Sequence, residues 1–494
     1  MLALLYFLNA ARFRIPTGYA GLYSLMTERL IQNPWPLPRE IPLYGPGGIP
    51  FAFPPLGPYV AALGVGLLKI PIFEYLRWAP PAFTILSLIM LYSFALKLYA
   101  SRDKAMLGTL LAAAGVQMYA DHATAAGMVR ALALLFATAG LSAFMNAIRM
   151  QTSFNSWTAA TAFLLGLTTL THPSYAVFLA SGLTVIAASD RRESFRTRAV
   201  GLLVVLIGGL IVAAPWILVV SDRFGLQVWS NASRTHGTLG ILQRVSGNLA
   251  LVPVEILRWV ANLGKAWTPH FLPGMAILGL GYSLLGRNWA IPALLVFLPA
   301  VLGESTRFEG ILGGLLAANL IVDVAPLRIE RNGGLTRFAP GPNLTFHVIV
   351  LGAVMYQAAK TIYSYEPSLD ASLLEATTWV RENTPIESAL LLLPNDHDRS
   401  EWTPYLTRRI LSISHWGAEW AGGYAYQQTL QDQLSGCIDA DSFRCIVDLT
   451  EQLHPQPTYL LMNTDLEALL SQAQSDPAWA TAFRSDAYAL FQRR

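Results

Sequence analysis

Few residues in this 494-residue chain pair a reactive side chain with a place where it would be useful. Glu28 and Glu40 are the only carboxylates among the first 73 residues. Glu28 falls on a helix flank beside Arg29, where the plainer role is an edge charge in water. Glu40 follows Arg39 in a proline-rich strip and is a candidate catalytic acid or base if it points into a cavity. Asp121-His122 stands between two apolar runs. A carboxylate beside an imidazole suits a general base or a metal ligand, although two adjacent residues seldom make a metal site; the plainer reading is a polar turn. His172-Pro173 ends one apolar run and opens the next, and the proline by itself accounts for the break. Arg130 and Arg307 lie in or beside apolar stretches, so each guanidinium must snorkel or find an anion. For Arg307, Glu304 and Glu309 are ready structural partners. Arg223, Arg234, His236 and Arg244 add positive charge to one loop. Where a phosphate is bound, the planar guanidinium fork matches its oxygens.

Composition says which elements hold these residues. The chain is 53% hydrophobic and 13% charged, with a mean hydropathy of +0.42. A soluble domain carries about 25% charge, so much of the apolar surface must face something other than water, and a bilayer fits. Soluble cytoplasmic enzymes, disordered tails and collagen-like fibres are excluded. A net charge of +3 gives no argument for nucleic acid. Apolar runs beginning near Ala79, Ala105, Met128, Trp157, Pro173, Ala199, His270, Trp289, Phe308 and Leu344 predict membrane helices. Several fall short of the roughly 20 residues of a full span. The Met1–Ala11 run is shorter still: either the chain start is truncated or a signal-anchor helix continues past Arg12. With no basic segment before it, it does not read as a cleavable signal peptide.

Lysines and arginines in short loops set the orientation. The segment from Arg191 to Arg198, the loop with Arg328, Arg331 and Arg337, and Arg102, Lys104, Arg149 and Arg287 fall on one side if Leu249 to Asn262 lies along the interface. That side is then the cytoplasm. Asp121-His122, the Ser221 to Asn248 loop, the Glu304 to Arg307 turn and the C-terminal region lie outside. Leu56 to Ile70, with Lys69 and Pro71, reads as re-entrant, which places the residue 12–55 loop outside as well.

Charged residues become dense after Lys360, and residues 361–494 read as a soluble α/β domain following a transmembrane domain of residues 1–360. Asp370 to Asn383 has helical spacing and stops at Thr384-Pro385. Ser388 to Leu393 and Thr458 to Met462 predict buried strands, and Tyr424 to Leu434 and Ser442 to Leu453 predict helices. No glycine-rich phosphate loop or nucleophile elbow appears there. Cys437 and Cys445 can form a disulfide if the domain is exported. Glu401-Trp402-Thr403-Pro404-Tyr405 and His415-Trp416-Gly417-Ala418-Glu419-Trp420 combine aromatics with acids, which suits sugar stacking or, more plainly, packing of the tail onto the membrane bundle.

The first loop is the most informative stretch. From Tyr19 to Ile31, Leu22, Leu25, Met26 and Leu30 share one helical face, so this helix is expected to lie flat at the membrane surface. Pro34 to Tyr59 follows, with enough prolines and glycines to prevent helix and regular sheet. Phe53-Pro54-Pro55-Leu56 entering a helix, Trp35, Pro215-Trp216 before a basic loop, the late Arg307 turn and the exported tail together resemble the GT-C superfamily of integral-membrane glycosyltransferases. The resemblance covers nearly the whole chain in architecture. It implies an all-α polytopic membrane bundle of about 11 to 13 helices, with an extracytoplasmic α/β domain, in the plasma (inner) membrane. It also implies transfer of a sugar from a polyprenyl-phosphate donor to a glycan, lipid or protein acceptor on the outer face, as in mannose- and aminoarabinose-transferase-like members.

The family's usual acids are missing. Where an acid opens the first-loop helix, this chain reads Thr17-Gly18-Tyr19-Ala20, and where a later acid begins a span it offers Arg130. Neither a neutral side chain nor arginine is a base near pH 7. The expected base is therefore Asp121 or Glu40, with Arg130, Arg234, His236, Arg307, Tyr19 and Tyr44 as substrate-binding residues. No cofactor is certain, and a divalent metal remains open. A relative that keeps a lipid or glycan groove without catalysis is the alternative. A transporter ranks third, since the spans show no internal repeat.

Overall fold

The computed structural model of the chain describes residues 2–33, 36–45, 47–150, 152–190, 194–235, 251–255, 257–259, 272–303, 305–325, 329–332, 335–338 and 342–494. It divides into two units. One comprises Met1–Arg14, Arg77–Ile217 and Gly237–Tyr365, and the other Ile15–Leu76, Leu218–His236 and Glu366–Arg494. The second unit therefore contains the first loop as well as the tail.

Every apolar run expected to be a span carries a helix: Ile72–Tyr99, Arg102–Ala113, Gly127–Arg149, Ser156–Thr171, Pro173–Ser189, Phe195–Phe224, Leu272–Leu285, Ala290–Val301, Thr306–Val324 and Pro342–Ser364. Among the described residues, Ile72–Tyr99, Gly127–Arg149 and Phe195–Phe224 are long and apolar enough to cross a bilayer, and Leu272–Leu285 with Ala290–Val301, bent by 119°, pass together as a fourth. On the Phe195–Phe224 helix, Leu203, Ile207, Leu210 and Ile211 are exposed. Such a row of uncovered aliphatic side chains suits hydrocarbon and is costly in water.

Inside the first unit, small residues let helices approach closely. A Cβ on Gly314 would lie 2.7 Å from the backbone nitrogen of Ala112, so only glycine fits where Thr306–Val324 crosses Arg102–Ala113. Phe178 and Phe308 stack at 4.4 Å between Pro173–Ser189 and Thr306–Val324. The N-terminal run forms the Leu2–Arg12 helix. It stops at Arg12 instead of continuing, and the Arg12 guanidinium donates to the Tyr363 carbonyl at 2.7 Å.

In the second unit the tail forms a five-stranded sheet in the order Ile410–Leu411, Ala389–Leu393, Tyr459–Asn463, Tyr488–Arg493, Trp479–Arg484. The first three strands run parallel and the last two pair antiparallel. Every residue of Ala389–Leu393 is buried, as an unbroken aliphatic run requires of a strand covered on both faces. The helices expected in the tail form as Ala371–Asn383, Tyr424–Asp439 and Phe443–Thr450, and Asp370 caps the first by accepting from the Leu373 N–H at 2.6 Å. Cys437 and Cys445 form a disulfide.

Two expectations for the first loop change. The helix, Gly21–Gln32, is buried in protein instead of lying on a membrane surface. Tyr23, Ser24 and Thr27 are buried along with Leu22, Leu25, Met26 and Leu30, because the Leu56–Leu68 helix and the tail helix His397–Thr407 both pack on it. An apolar helical stripe shows that a face must be covered, not whether lipid or protein covers it. The proline-rich strip also makes a minimal antiparallel ladder, Glu40–Ile41 with Ile49–Pro50, reversed through Gly45, Gly47 and Gly48 at positive φ. Tyr44 bridges to Leu411 in parallel, which adds the strip to the edge of the tail sheet.

Candidate functional site

Most of the candidate residues of the first unit converge beyond the end of the Gly127–Arg149 helix. A π-helical turn, Tyr119–Ala123, precedes that helix and carries Asp121 and His122. Wide turns of this kind recur at functional sites because they re-aim side chains that a regular helix would spread around its axis. Gly127 makes the turn fit, since a Cβ there would overlap the His122 carbonyl.

Arg130, one turn into the helix, donates from Nη1 to Asp121 Oδ1 at 3.0 Å, with the two side chains 14% and 17% exposed. The ion pair is mostly buried yet still reachable. Arg307 is buried at the start of Thr306–Val324, and its charge acts on both Asp121 and His122. Burial pushes the Asp121 carboxyl up, but Arg130, Arg307 and His122 together hold it below the ordinary carboxylate range. Asp121 is therefore ionised at neutral pH. His122 is fully buried, which pushes its imidazole down to about 4 and leaves it neutral. Its Nε2 lies 2.6 Å from the Tyr175 hydroxyl, and the Tyr175 ring packs at 4.8 Å against Phe308, next to Arg307. One unit thus holds an ionised carboxylate, two arginines, a neutral imidazole and a phenol. The carboxylate can take a proton from a hydroxyl, and the arginines can neutralise a phosphate.

The other sequence candidates are placed differently. Glu309 accepts from Ser305 Oγ at 2.6 Å and from Trp259 Nε1 at 2.9 Å, so it is a hydrogen-bonded structural carboxyl. His172 caps the Pro173–Ser189 helix, with its ring 5.2 Å from Tyr175. Arg234 lies on the Gln227–Thr235 helix, but its side chain falls outside the described residues, as do His236, Arg244 and Glu304. The Leu249 to Asn262 segment is only partly described; within it Arg258 pairs with Glu255 at 2.5 Å.

The remaining candidates belong to the second unit. Glu40 is exposed on its two-residue strand. Glu28 is not an edge charge in water: it accepts from the Tyr405 hydroxyl at 2.8 Å and pairs with Arg408 at 2.7 Å. Tyr44 is 1% exposed, and its hydroxyl donates to the Glu401 carbonyl at 2.6 Å, so the ring and its polar tip are both used up in packing. That removes Tyr44 from the substrate-binding candidates. Tyr19 is half-buried in a group of rings with His397 and Trp416.

Glu401, read from the sequence as one acid of an aromatic cluster used for sugar stacking or for packing, has a packing role that the sequence did not specify. Its two carboxyl oxygens accept the N–H groups of Gly21 and Leu22, the latter at 2.9 Å, at the first turn of the Gly21–Gln32 helix. Trp402 Nε1 donates to the Gly18 carbonyl at 2.9 Å. The carboxylate at the start of the first-loop helix thus comes from the tail, while Thr17–Ala20 has none. Burial pushes Glu401 up to about 8, outweighing the N–H groups of Leu22, Gly21 and Ala20 that favour its charged form. The available signal was weak: an acid directly before Trp402 and near Tyr405 fits a buried cap as well as a sugar site.

Among the described residues, no group of three or more histidines, cysteines, aspartates and glutamates is arranged to hold a metal ion. No family model matches the sequence, and no curated protein matches it either. Solved structures match its fold. The Archaeoglobus fulgidus oligosaccharyltransferase AglB, solved with an inhibitory peptide and a dolichol-phosphate, superposes with a TM-score of 0.60 at 12% identity, over 96% of this chain and 71% of that one. ArnT from Cupriavidus metallidurans bound to undecaprenyl phosphate gives 0.53 at 15% identity, over 99% and 96%. The mycobacterial arabinofuranosyltransferase AftD gives 0.56 at 12%, covering all of this chain and 39% of that one. All three are GT-C membrane glycosyltransferases, and this chain has their fold.

Proposed function

We propose that the chain is a plasma-membrane glycosyltransferase, with its tail outside, that moves a sugar from a polyprenyl-phosphate donor to a glycan, lipid or protein acceptor. The observation that carries this reading is the mostly buried Asp121–Arg130 ion pair, with the Arg307 charge also acting on Asp121. In the transfer, the acceptor hydroxyl oxygen bonds to the anomeric carbon and its proton passes to the Asp121 carboxylate. The bond from that carbon to the phosphate oxygen breaks, and its electron pair leaves with the polyprenyl phosphate. Arg130 and Arg307 balance the negative charge that grows on the leaving group, where fixed cations in a low-dielectric site are most effective. His122 and Tyr175 fix the turn that aims Asp121. The activated sugar arrives on a lipid, so no nucleotide site is needed. Structural neighbours bound to dolichol-phosphate and undecaprenyl phosphate support the class of donor.

A lipid- or glycan-binding relative without catalysis is the second reading, favoured by the absence of any acid in Thr17–Ala20. The test uses the full chain in lipid vesicles with polyprenyl-phosphate-linked hexoses and pentoses and a membrane glycolipid extract, following release of free polyprenyl phosphate by mass spectrometry. Release that disappears in Asp121→Asn supports the transferase. Binding of polyprenyl phosphate with no release under any donor and acceptor pair supports the second reading.

A further inference from the structure

Five rings gather on the second unit around Trp416. Trp416 lies 4.9 Å from Tyr19, 4.3 Å from His397 and 5.1 Å from His415, and His415 lies 5.9 Å from Tyr424. Unlike Trp402 and Tyr44, which are sealed in the core, these rings are half-buried, and the His397 side chain is 56% exposed. Polar groups border them. Asp398 Oδ1 is 3.1 Å from His397 Nδ1, and Asp396 and Asp398 keep 43% and 31% of their side-chain surface. The platform is held firmly: Trp416 Nε1 donates to Ser400 Oγ at 3.2 Å, and the next residue, Gly417, turns at φ +73° where a Cβ would strike Ile49.

Half-exposed rings present flat apolar faces, while carboxylates and imidazoles at the rim present hydrogen-bond acceptors and donors. A sugar ring is complementary, with one C–H face to stack and hydroxyls around its edge. Asp396 is paired with Arg399 at 3.4 Å, so Asp398 leaves the rim net acidic, which disfavours a phosphate or an acidic peptide. We propose that this platform binds a sugar ring of the acceptor, which makes the acceptor a glycan or glycolipid. The proposal rests on the transferase reading for the role of that sugar, but the binding itself does not.

The test uses the full chain in lipid nanodiscs free of glycoside detergent, with methyl α-mannopyranoside, methyl β-galactopyranoside and methyl α-arabinofuranoside as probes. Saturation-transfer NMR is expected to mark the ring C–H protons of at least one probe. The signal should fall by about three- to tenfold in Trp416→Leu and in His397→Ala, the size expected for losing one aromatic contact. His397 is exposed enough that its variant keeps the wild-type unfolding temperature. No signal from any probe, or an unchanged signal in folded His397→Ala, overturns the proposal. Donor turnover and the His397→Ala acceptor KM separate the two ideas. Sugar binding without any donor turnover in the wild type sinks the transferase and leaves the platform standing. Turnover with an acceptor KM unchanged in His397→Ala sinks the platform and leaves the transferase.

Discussion

Asp121 and Glu401 are both buried carboxyl groups at the mouth of a helix, and their surroundings give them opposite states. Asp121 faces Arg130 and Arg307, keeps part of its surface, and is ionised. Glu401 is 1% exposed, meets two backbone N–H groups and no cation at hydrogen-bond distance, and holds its proton up to about pH 8. The first arrangement keeps a carboxylate ionised beside an arginine, which is what the proposed transfer requires of a base. The second closes the unit around the first loop. Burial alone does not mark a catalytic acid; the partner and the remaining access decide.

The sharpest way to break this comparison is Asp121→Asn. Loss of a general base predicts a fall in transfer of about 10²–10⁴-fold, with polyprenyl-phosphate binding retained. An equal loss of binding and turnover would make Asp121 only a partner for Arg130. Arg307→Gln should next weaken polyprenyl-phosphate binding by roughly 10- to 100-fold, the range for a charged hydrogen bond, as measured by lipid displacement. Unchanged affinity would remove Arg307 from the site.

Glu401→Ala should leave binding in the first unit intact and lower stability by about 1–3 kcal/mol for each backbone N–H left without a partner, read as faster proteolysis of the first loop. The wild-type contribution has a definite pH sign. The folded value, about 8, exceeds the ordinary 4.5, so the stabilisation is complete below pH 4.5 and is lost as pH rises through about 8. Thermal unfolding from pH 5 to 9 should show this decline, and Glu401→Gln should flatten it. Glu28→Gln has the smallest expected effect, about 0–1 kcal/mol, because the Glu28–Arg408 pair is 29% and 26% exposed and is screened by water. A loss as large as that for Glu401 would show that the two carboxyls hold the first loop together.

Much of the fold was legible along the chain. Apolar runs gave the helices, a charge shift near Lys360 gave the α/β tail, and Thr384-Pro385 gave a helix end, because length, periodicity and proline act over a few residues. Asp121 and Arg130 stood out along the chain only as separate candidates; their pairing, nine residues apart, came with the π-helical turn. Glu401 on Gly21, 380 residues away, and the burial of Tyr44 were not legible.

By itself the sequence determined that this chain has too much apolar surface for water, where its apolar helices lie to within several residues, and which few acids and arginines were available for chemistry. The tertiary structure decided which of them met. It brought the charge of Arg307 to bear on Asp121, sealed Glu401 and Tyr44 into packing, and drew Tyr19 to His397 and Trp416. Hydropathy and helix signals are local properties of the chain, whereas desolvation, ion pairing and ring stacking depend on what distant segments bring to the same place.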